Sequence, residues 1–472
     1  MDFSKTIALF PDTFEVCLFP ELDYSITGAD LRRKSGILAA WLQEEGYTEI
    51  AIQMRNCPAF AYLLTGALRA GVKVMLLNVL NAEKSELPVF DEETTERILQ
   101  SRLTSQASFA PYEWRLNETM ILMSTSGTSS GAQKTVGKSL QSFFGKNGVR
   151  PYWRLVAAIR IYRLYTCFPW YHNAGIYMLL LALCGVPFTH ITAGKFNPDN
   201  MRRNINRTHP DIWFGTPTML TRCVETGEIT LPAFMVCTGE KLAPETITLL
   251  EQRGGAQWMI NDYGSTEIGG AANMLYLFDD IRPFGRLVAA IISAVSVKKA
   301  VFNKKTYIPG CLGTPMKNVE IRIMRDGKTL GEGEIGEIFA RTNTMYVRQG
   351  NVFYDTGDMG YMKDGLLFYV GRSGSVINRS GEKILPEDIE RVLRSLPGVN
   401  AAVVFAVPSR THGEDICAAV ESENGAPVVT VEALQERLPK YMLPQRLLFF
   451  EKLPMTESGK TNLSALRDYA MK

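Results

Sequence analysis

The chain has 472 residues, of which 46% are hydrophobic and 21% charged, a composition typical of globular proteins that excludes a disordered or fibrous chain. Its 51 basic and 49 acidic residues nearly cancel, so no global field would draw it onto nucleic acid or an anionic membrane. We therefore expect a small-molecule partner and no nucleic acid, and the sequence leaves the oligomeric state open.

Targeting, membrane and redox signals point to a cytoplasmic protein. The first residues lack the basic start and apolar core of a secretory signal. The longest apolar stretch, residues 174–188, is shorter than the roughly 20 residues of a membrane span and predicts a buried helix and strand with no transmembrane segment. Eight scattered cysteines without a Cys-x-x-Cys pair indicate reduced core thiols, and four histidines without ligand spacing argue against a histidine-based metal site.

Helices alternate with apolar strands over most of the chain. The hydrophobic periodicity predicts helices over 31–42, 59–70, 200–207 and 244–253, and strands over 49–53, 72–77, 119–123, 211–214 and 234–238. This alternation predicts an α/β fold in which crossover helices join parallel strands.

The pattern changes after about Gly310, where alternating segments at 319–323 and 337–341 predict a β-rich subdomain. The Gly/Ser cluster at 371–375 is the expected domain break, because a Gly-rich polar stretch packs poorly. Beyond it we expect a helix over 387–396, a strand over 401–407 and a helix over 431–438. The sequence therefore predicts a large N-terminal α/β domain with a β-rich subdomain, residues 1–372, and a small mobile C-terminal α+β domain, residues 373–472.

A loop of small and hydroxylated residues follows the strand at 119–123. Residues 124–134 contain glycines that permit tight turns, hydroxyls that donate and a terminal lysine, all suited to phosphate, although a flexible surface loop has a similar composition. The spacing from Gly131 to Gly137, Lys138 and Ser139 is one residue too long for a P-loop, and no helix start is evident. Residues 331–336 have the Gly-x-Gly-x-x-Gly spacing of a dinucleotide-binding motif. Their acidic residues and the strand pattern after them predict a turn instead.

The loop is similar to the Thr-Ser-Gly-Thr-Thr-Gly-x-Pro-Lys signature of the acyl-CoA synthetase family of adenylate-forming enzymes. Four more segments resemble motifs of that family in the same order: residues 261–267 its Tyr-Gly-x-Thr-Glu, 354–358 its Thr-Gly-Asp, 371–390 its inter-domain segment, and 453–460 its Pro-x-Thr-x-x-Gly-Lys. Each motif is short, and the resemblance depends on their order along the chain.

The resemblance implies a role for each matching residue. Residues that would hold the phosphates of ATP are Thr125, Ser126, Gly127, Thr128, Ser129 and Lys134. Glu267 would bind Mg²⁺, which prefers carboxylate and phosphate oxygens, and Thr266 would contact the α-phosphate. Residues that would surround the adenosine are Gly239, Glu240, Lys241, Asn261, Asp262, Tyr263, Gly264, Asp358 and Arg372. Among these, Tyr263 would stack on adenine and Asp358 would accept hydrogen bonds from the ribose.

Three further positions complete the implied site. Lys460 resembles the catalytic lysine, which neutralises charge between the carboxylate and the α-phosphate. His172 lies in a segment that resembles the gate of the acyl pocket, and we expect a binding role for it. Gly374 stands where the family usually has an acidic hinge residue. We expect a working hinge in which the balance between the adenylation and thioester conformations differs.

These implications predict an ATP- and Mg²⁺-dependent ligase that forms an acyl-adenylate and then a thioester. Coenzyme A is the favoured thiol, and the phosphopantetheine arm of a carrier protein is the alternative. A second alternative is a nucleotide-binding regulatory protein with a decayed active site. The lack of a Phe-Asp-x-Ser pattern near His172 argues mildly against an amino-acid substrate, and the acid itself cannot be predicted.

Overall fold

The computed structural model describes residues 1–79, 85–104, 108–125, 134–145, 161–186, 188–279, 281–293, 300–342, 352–380, 382–409, 411–456 and 460–471. The chain divides into two compact units, the first formed by residues 1–321 and 340–354 and the second by residues 322–339 and 355–472. The predicted domain boundary between residues 372 and 373 falls inside the second unit and stays a prediction.

The first unit contains a five-stranded sheet in which four neighbouring strands are parallel and the last is antiparallel. In spatial order its strands are Val89–Phe90, Glu49–Ile52, Lys73–Leu76, Thr119–Thr125 and Lys134–Ser139. The short apolar strands pack under the helices Gly28–Glu44 and Pro58–Ala70, whose facing sides are buried. This arrangement is the βα alternation that the sequence predicts.

A second sheet supplies most of the other strands of the first unit. In spatial order they are Cys311–Pro315, Gly269–Leu277, Trp258–Ser265, Phe234–Thr238, Ile212–Gly215, Tyr162–Thr166, Phe188–Thr192, Glu15–Phe19 and Tyr24–Thr27, with Val301–Phe302 paired to Gly269–Leu277. Pairing is parallel from Trp258–Ser265 across to Glu15–Phe19. It is antiparallel at both ends of that run.

The helices of the first unit begin at recognisable residues. Their bounds are Phe3–Ala8, Gly28–Glu44, Pro58–Ala70, Glu92–Ser101, Leu140–Phe144, Asn173–Leu183, Pro198–Thr208, Pro217–Glu225, Pro244–Arg253 and Pro283–Ile292, with a 3₁₀ turn at Pro20–Leu22. Several start with proline, which lacks the N–H that the first helical turn would leave unpaired. Before Pro217, the Thr216 hydroxyl also accepts from the Met219 N–H, which satisfies another terminal donor.

The second unit is a β-rich portion followed by a small α+β portion. The first portion has the strands Lys328–Thr329, Val319–Arg325, Gly336–Thr342, Tyr354–Lys363 and Leu366–Arg372 in that spatial order. In the second, the strands Glu382–Ile384, Ile377–Arg379, Gly413–Glu421 and Ala401–Ser409 form a sheet, and Arg446–Phe450 pairs with Gly413–Glu421. The helices Pro386–Arg394, Val431–Gln435 and Leu463–Ala470 and the 3₁₀ turns Ser373–Ser375, Glu423–Gly425 and Lys440–Met442 complete it. Apolar clusters cover both faces of this sheet.

The predicted α/β fold class, with a β-rich part and a small α+β part, is confirmed. Two local predictions were wrong. The helix expected over 431–438 ends at Gln435 and continues only as a turn, because Pro439 cannot extend it. A helix start was missed at Leu140–Phe144, where the Ser139 hydroxyl accepts from the Ser142 N–H and the Ser142 hydroxyl accepts from the Ser139 N–H.

All eight cysteine side chains are buried, as expected of core thiols. Burial raises the pKa of Cys17 and of Cys167 to about 12, which suppresses the thiolate that reactive cysteines need. None of the helices in the described ranges combines the length and the hydropathy needed to cross a bilayer.

Asn56 joins the two sheets of the first unit. Its side chain is 3% exposed. Its amide donates to the Phe168 carbonyl oxygen at 2.9 Å and to Oγ1 of Thr192 at 2.8 Å. Its Oδ1 accepts from the Trp170 N–H at 2.7 Å. One buried amide thereby fixes the segment that leads to His172 against the loop after Glu49–Ile52.

We predict that Asn56→Ala lowers the free energy of unfolding of the first unit by about 2–4 kcal/mol, because it leaves buried polar groups unpaired. Asn206→Ala is the matched control, since Asn206 makes two hydrogen bonds of similar length near the surface, to Glu228 and from Thr230. Water can replace those bonds, so the control should cost under about 1 kcal/mol. Thermal and denaturant unfolding measure both, and equal costs would contradict the role given to Asn56.

Candidate active site

The carboxyl ends of neighbouring parallel strands meet at one edge of the second sheet of the first unit. Tyr162–Thr166, Ile212–Gly215, Phe234–Thr238 and Trp258–Ser265 are paired in parallel, so their last residues lie side by side. Ligands of open α/β sheets bind outside this edge. The predicted residues Gly239 to Lys241 follow the strand Phe234–Thr238, and those from Asn261 to Glu267 form the last part of the strand Trp258–Ser265 and the turn after it.

Two predicted adenosine-binding segments are neighbours at this edge. Thr238 pairs with Asp262 in the strand register, and its hydroxyl donates to the Asp262 carbonyl oxygen at 2.9 Å. The next residue, Gly239, has φ of 82°, a left-handed conformation that favours glycine. Oε2 of Glu240 accepts from the Thr218 N–H at 3.3 Å, which ties this loop to the start of the helix Pro217–Glu225. The structure therefore brings Gly239 and Glu240 next to Asp262.

Buried polar atoms without a protein partner lie on the same strand. Asn261 is 2% exposed, and its Oδ1 receives no hydrogen bond from the residues that the structure describes. Oγ of Ser265 is likewise buried and makes no hydrogen bond to a residue that the structure describes. Because a buried polar atom without a partner costs about 1–3 kcal/mol, such atoms are places where a ligand or water supplies the missing bond.

Thr266 and Glu267 lie in the turn between the strands Trp258–Ser265 and Gly269–Leu277, which we call the Glu267 turn, residues 264–269. The turn is tight, since a Cβ on Gly264 would come within 2.1 Å of the Gly269 carbonyl oxygen. Ile268 is fully buried, and its carbonyl oxygen accepts from the Thr342 hydroxyl at 3.0 Å. These contacts fix both ends of the turn that carries the predicted Mg²⁺ ligand.

The predicted phosphate-binding loop begins and ends on paired strands. Thr125 is the register partner of Lys134, so the two ends of the loop are held together. The side chains of both residues, and the whole of Ser126, Gly127, Thr128 and Ser129, lie outside the described part of the chain. The roles predicted for these residues stay predictions.

Lys138 is a site residue that the sequence analysis missed. Its side chain is fully buried on the strand Lys134–Ser139, and its ammonium donates to the Thr266 carbonyl oxygen. Burial lowers the pKa of Lys138 to about 8, and the Glu267 carboxylate opposes that shift. The sequence analysis considered Lys138 only as part of a failed P-loop. The strand reads Lys-Thr-Val-Gly-Lys-Ser, so its local pattern does not mark Lys138 as a buried residue.

Asp358 and Arg372 meet in the second unit. They are register partners on the strands Tyr354–Lys363 and Leu366–Arg372, and Nε of Arg372 donates to Oδ1 of Asp358 at 3.0 Å. Asp358 is 7% exposed, and its N–H donates to the Thr356 hydroxyl at 3.2 Å. The guanidinium thus orients a nearly buried carboxylate, and the ribose-binding role of Asp358 stays a prediction.

The backbone of Lys460 is hydrogen-bonded to Thr456 in the second unit. Its N–H donates to the Thr456 hydroxyl at 3.1 Å, and its carbonyl oxygen accepts from the Thr456 N–H at 2.7 Å. The preceding segment is held by Glu421, which is 1% exposed and accepts from the Leu453 N–H at 2.9 Å. These bonds hold the backbone of Lys460, and the residue as a whole is exposed.

Gly374 occupies the centre of the 3₁₀ turn Ser373–Ser375. A Cβ at this position would meet no atom within 4 Å among the described residues. The neighbouring hydroxyls are engaged, since Ser373 donates to the Gly357 carbonyl oxygen and Ser375 to that of Arg372. Side-chain volume therefore does not require glycine at Gly374, and backbone freedom is what distinguishes it.

His172 immediately precedes the helix Asn173–Leu183 at the carboxyl edge described above. It is partly buried, and its ring lies 4.7 Å from the ring of Tyr171. Gly175 keeps the segment compact, because a Cβ there would come within 2.2 Å of the Pro169 carbonyl oxygen. His172 thus lies at the start of the helix that follows the strand Tyr162–Thr166, and its binding role stays a prediction.

Curated relatives match part of the chain. The D-alanine–D-alanyl carrier protein ligase of Bacillus cytotoxicus is 27% identical over 298 residues, which cover 57% of this chain and 55% of that protein. The corresponding ligase of Bacillus licheniformis is 27% identical over 293 residues, 56% of this chain and 54% of that protein. The chain therefore spans about half the length of the curated relatives it matches.

Solved structures match nearly the whole chain. ATP-bound MatB from Rhodopseudomonas palustris superposes with a TM-score of 0.77 at 20% identity and covers 99% of both chains. O-succinylbenzoate coenzyme A synthetase (MenE) from Bacillus subtilis, in complex with AMP, superposes with a TM-score of 0.74 at 21% identity, covering 100% of this chain and 98% of the other. At these identities the likeness establishes the fold.

Family matches cover both units. Residues 388–460 match the family described as AMP-binding enzyme C-terminal domain. Residues 79–347, more than half of the chain, match the family described as AMP-binding enzyme. The chain therefore belongs to the AMP-binding enzyme family.

Proposed function

We propose that this chain is an ATP-dependent ligase that joins a small organic carboxylate to AMP and then transfers the acyl group to a thiol. The observation that carries the proposal is the sheet edge where Gly239 and Glu240 lie beside Asp262, with Thr266 and Glu267 in the turn that follows. Family membership and the order of the motifs support the same reaction. A cytoplasmic location is supported by the buried thiols.

In the first step, a carboxylate oxygen attacks the α-phosphorus of ATP, the bond to the bridging oxygen breaks, and diphosphate leaves. The N–H and hydroxyl donors of the loop between Thr125 and Lys134 would stabilise the negative charge on the leaving diphosphate. The Oδ1 of Asn261, which accepts no hydrogen bond within the described ranges, and the loop at Gly239 suit an adenine or ribose donor. Asp358, oriented by Arg372, would accept hydrogen bonds from the ribose hydroxyls.

Glu267 fits a Mg²⁺ that is held mainly by the substrate. Mg²⁺ on nucleotides keeps several waters and takes one or two protein carboxylates, so a single glutamate in a rigid turn meets the need. The ion would supply neutralisation of phosphate charge. Thr266, the neighbour of Glu267, would donate its hydroxyl to the α-phosphate.

In the second step, a thiolate attacks the acyl carbon, the mixed anhydride bond breaks, and AMP leaves with the oxygen that came from the acid. Coenzyme A is the proposed acceptor, in keeping with the resemblance to acyl-CoA synthetases. The named activity of the sequence relatives favours a carrier protein as the alternative acceptor. Both acceptors present the same phosphopantetheine thiol, so the first step is common to them.

The test of adenylation is ATP–diphosphate exchange with a panel of fatty, aryl and dicarboxylic acids and D-alanine. We predict exchange with at least one acid, and a loss of about 10²–10³-fold in Lys460→Ala, which removes the charge that meets the developing negative charge. Glu267→Gln should raise the Mg²⁺ concentration for half-maximal rate. Lys440→Ala, which removes an exposed lysine elsewhere in the second unit, is the control and should retain the wild-type rate.

Absence of exchange with every acid in a folded protein would contradict the proposal. If the protein then still binds ATP, the regulatory alternative with a decayed site takes its place. Exchange that survives unchanged in Lys460→Ala would remove Lys460 from the mechanism while leaving the adenylation reaction intact.

The acceptor is tested with the acid that supports exchange. We predict that coenzyme A gives an acyl thioester and AMP in equal amounts, measured by mass spectrometry. A phosphopantetheinylated carrier protein is the second arm. If the carrier is acylated and coenzyme A is not, the carrier protein replaces coenzyme A as the proposed acceptor.

The hinge proposed at Gly374 predicts a difference between the two half-reactions. Proline fixes its own φ and disfavours the helical backbone of Ser373 before it, so Gly374→Pro should restrict rotation of this segment. We predict an exchange rate within about twofold of wild type and a thioester rate at least about tenfold lower. Gly374→Ala, which has room for its methyl group, is the control. Equal losses in both half-reactions would count against a hinge.

A further inference from the structure

Lys138 is a fully buried lysine on the strand that leaves the predicted phosphate-binding loop. Its cross-strand partner, Ile121, is also fully buried. Lysine almost never reaches zero exposure without a partner, because removing an ammonium from water is costly. Packing alone does not account for it, since a methionine of similar length would fill the same volume without that cost.

The partner of Lys138 is the Glu267 turn. The ammonium donates to the Thr266 carbonyl oxygen, 128 residues away in sequence. The Glu267 carboxylate favours the charged form of the lysine. The Lys138 side chain thus connects the strand that follows the predicted phosphate-binding loop to the backbone of the Glu267 turn.

We propose that Lys138 is a positioning residue for adenylation, which holds the Glu267 turn in register with the strand that leaves the phosphate-binding loop. This inference rests on the proposed function. Its contact is with the backbone of Thr266, so it fixes where the turn lies without occupying the side chains of Thr266 or Glu267.

The charge of Lys138 gives the link a second consequence. ATP carries more negative charge than one Mg²⁺ neutralises, and a buried cation acts at a lower effective dielectric constant than a surface one. An ammonium beside Glu267 therefore offsets part of the negative charge that the nucleotide brings to the turn. Loss of the ammonium should weaken the response to Mg²⁺ and the rate more than it weakens binding of the organic acid.

The test compares Lys138→Met, Lys138→Gln and Lys138→Arg with wild type in ATP–diphosphate exchange. Methionine keeps the length but removes the donor and the charge, glutamine keeps a donor, and arginine keeps both. We predict that Lys138→Met lowers kcat by about 10²-fold, raises the half-maximal Mg²⁺ concentration at least about threefold, and leaves KM for the acid within about twofold. Lys138→Arg should recover part of kcat, and Lys138→Gln less.

Val136→Ala is the matched control, because Val136 is buried on the same face of the same strand and carries no polar group. Thermal unfolding gives the Tm of each variant, so that losses of kcat can be compared at equal losses of stability. If Val136→Ala loses as much kcat as Lys138→Met at an equal drop in Tm, the role of Lys138 is structural and the proposal is overturned. Wild-type kcat and Mg²⁺ response in Lys138→Met would overturn it as well.

Hydrogen–deuterium exchange of the peptide covering residues 264–270 gives a readout that needs no turnover. In nucleotide-free protein, Lys138→Met should speed exchange in this peptide, and Val136→Ala should not. If wild type shows no diphosphate exchange with any acid, the proposed function fails while this readout still decides whether Lys138 positions the turn. Unchanged protection in Lys138→Met would overturn the link, and if that variant does not fold, Lys138→Gln and Lys138→Arg provide the same comparison.

Discussion

The parallel register of the strands Ile212–Gly215, Phe234–Thr238 and Trp258–Ser265 is the constraint on which the site of the first unit depends. Gly215 is level with Cys237, and Cys237 is level with Asn261, so the chain leaves all three strands at one edge. Apolar side chains fill the strands up to that point, and polar residues begin where the strands end. A shift of register would separate Gly239 from Asp262, because hydrogen bonding fixes which residues are opposite each other.

Three buried polar side chains of the first unit, Asn56, Asn261 and Lys138, are removed from water, and what each gains in return differs. Asn56 is fully engaged, and its three hydrogen bonds make it part of the scaffold. Asn261 retains an acceptor that no described residue satisfies, so its environment suits a ligand better than it suits the fold. Lys138 is engaged through the Thr266 carbonyl oxygen, in the turn that carries Glu267. Departures from the usual rules of burial are expected where a site is built.

Periodicity predicted most of the large elements, because short apolar strands and amphipathic helices such as Gly28–Glu44 carry a local signal. Asp358 and Arg372 were placed around the adenosine only through a resemblance, and the structure adds that the two are paired as register partners. The domain boundary and the roles of individual site residues are not settled by the fold and stay predictions.

Contacts between distant residues could not be read from the chain. Asn56 reaches partners 112 to 136 residues away, and Lys138 reaches one 128 residues away, so neither has a local pattern to reveal it. The helix Leu140–Phe144 was missed because Ser142 takes the capping position where glutamate or glutamine is the usual signal. The residues at 126–133 lie outside the described ranges, so their part in phosphate binding depends on the resemblance alone.

The central claim is that an oxygen of the organic acid becomes bonded to the α-phosphorus of ATP. The most direct measurement uses an acid labelled with oxygen-18 in its carboxylate, full turnover with the thiol acceptor, and mass spectrometry of the phosphorus-containing products. The account predicts one labelled oxygen in AMP and none in diphosphate. Label in orthophosphate or diphosphate, or turnover with unlabelled AMP, would contradict it.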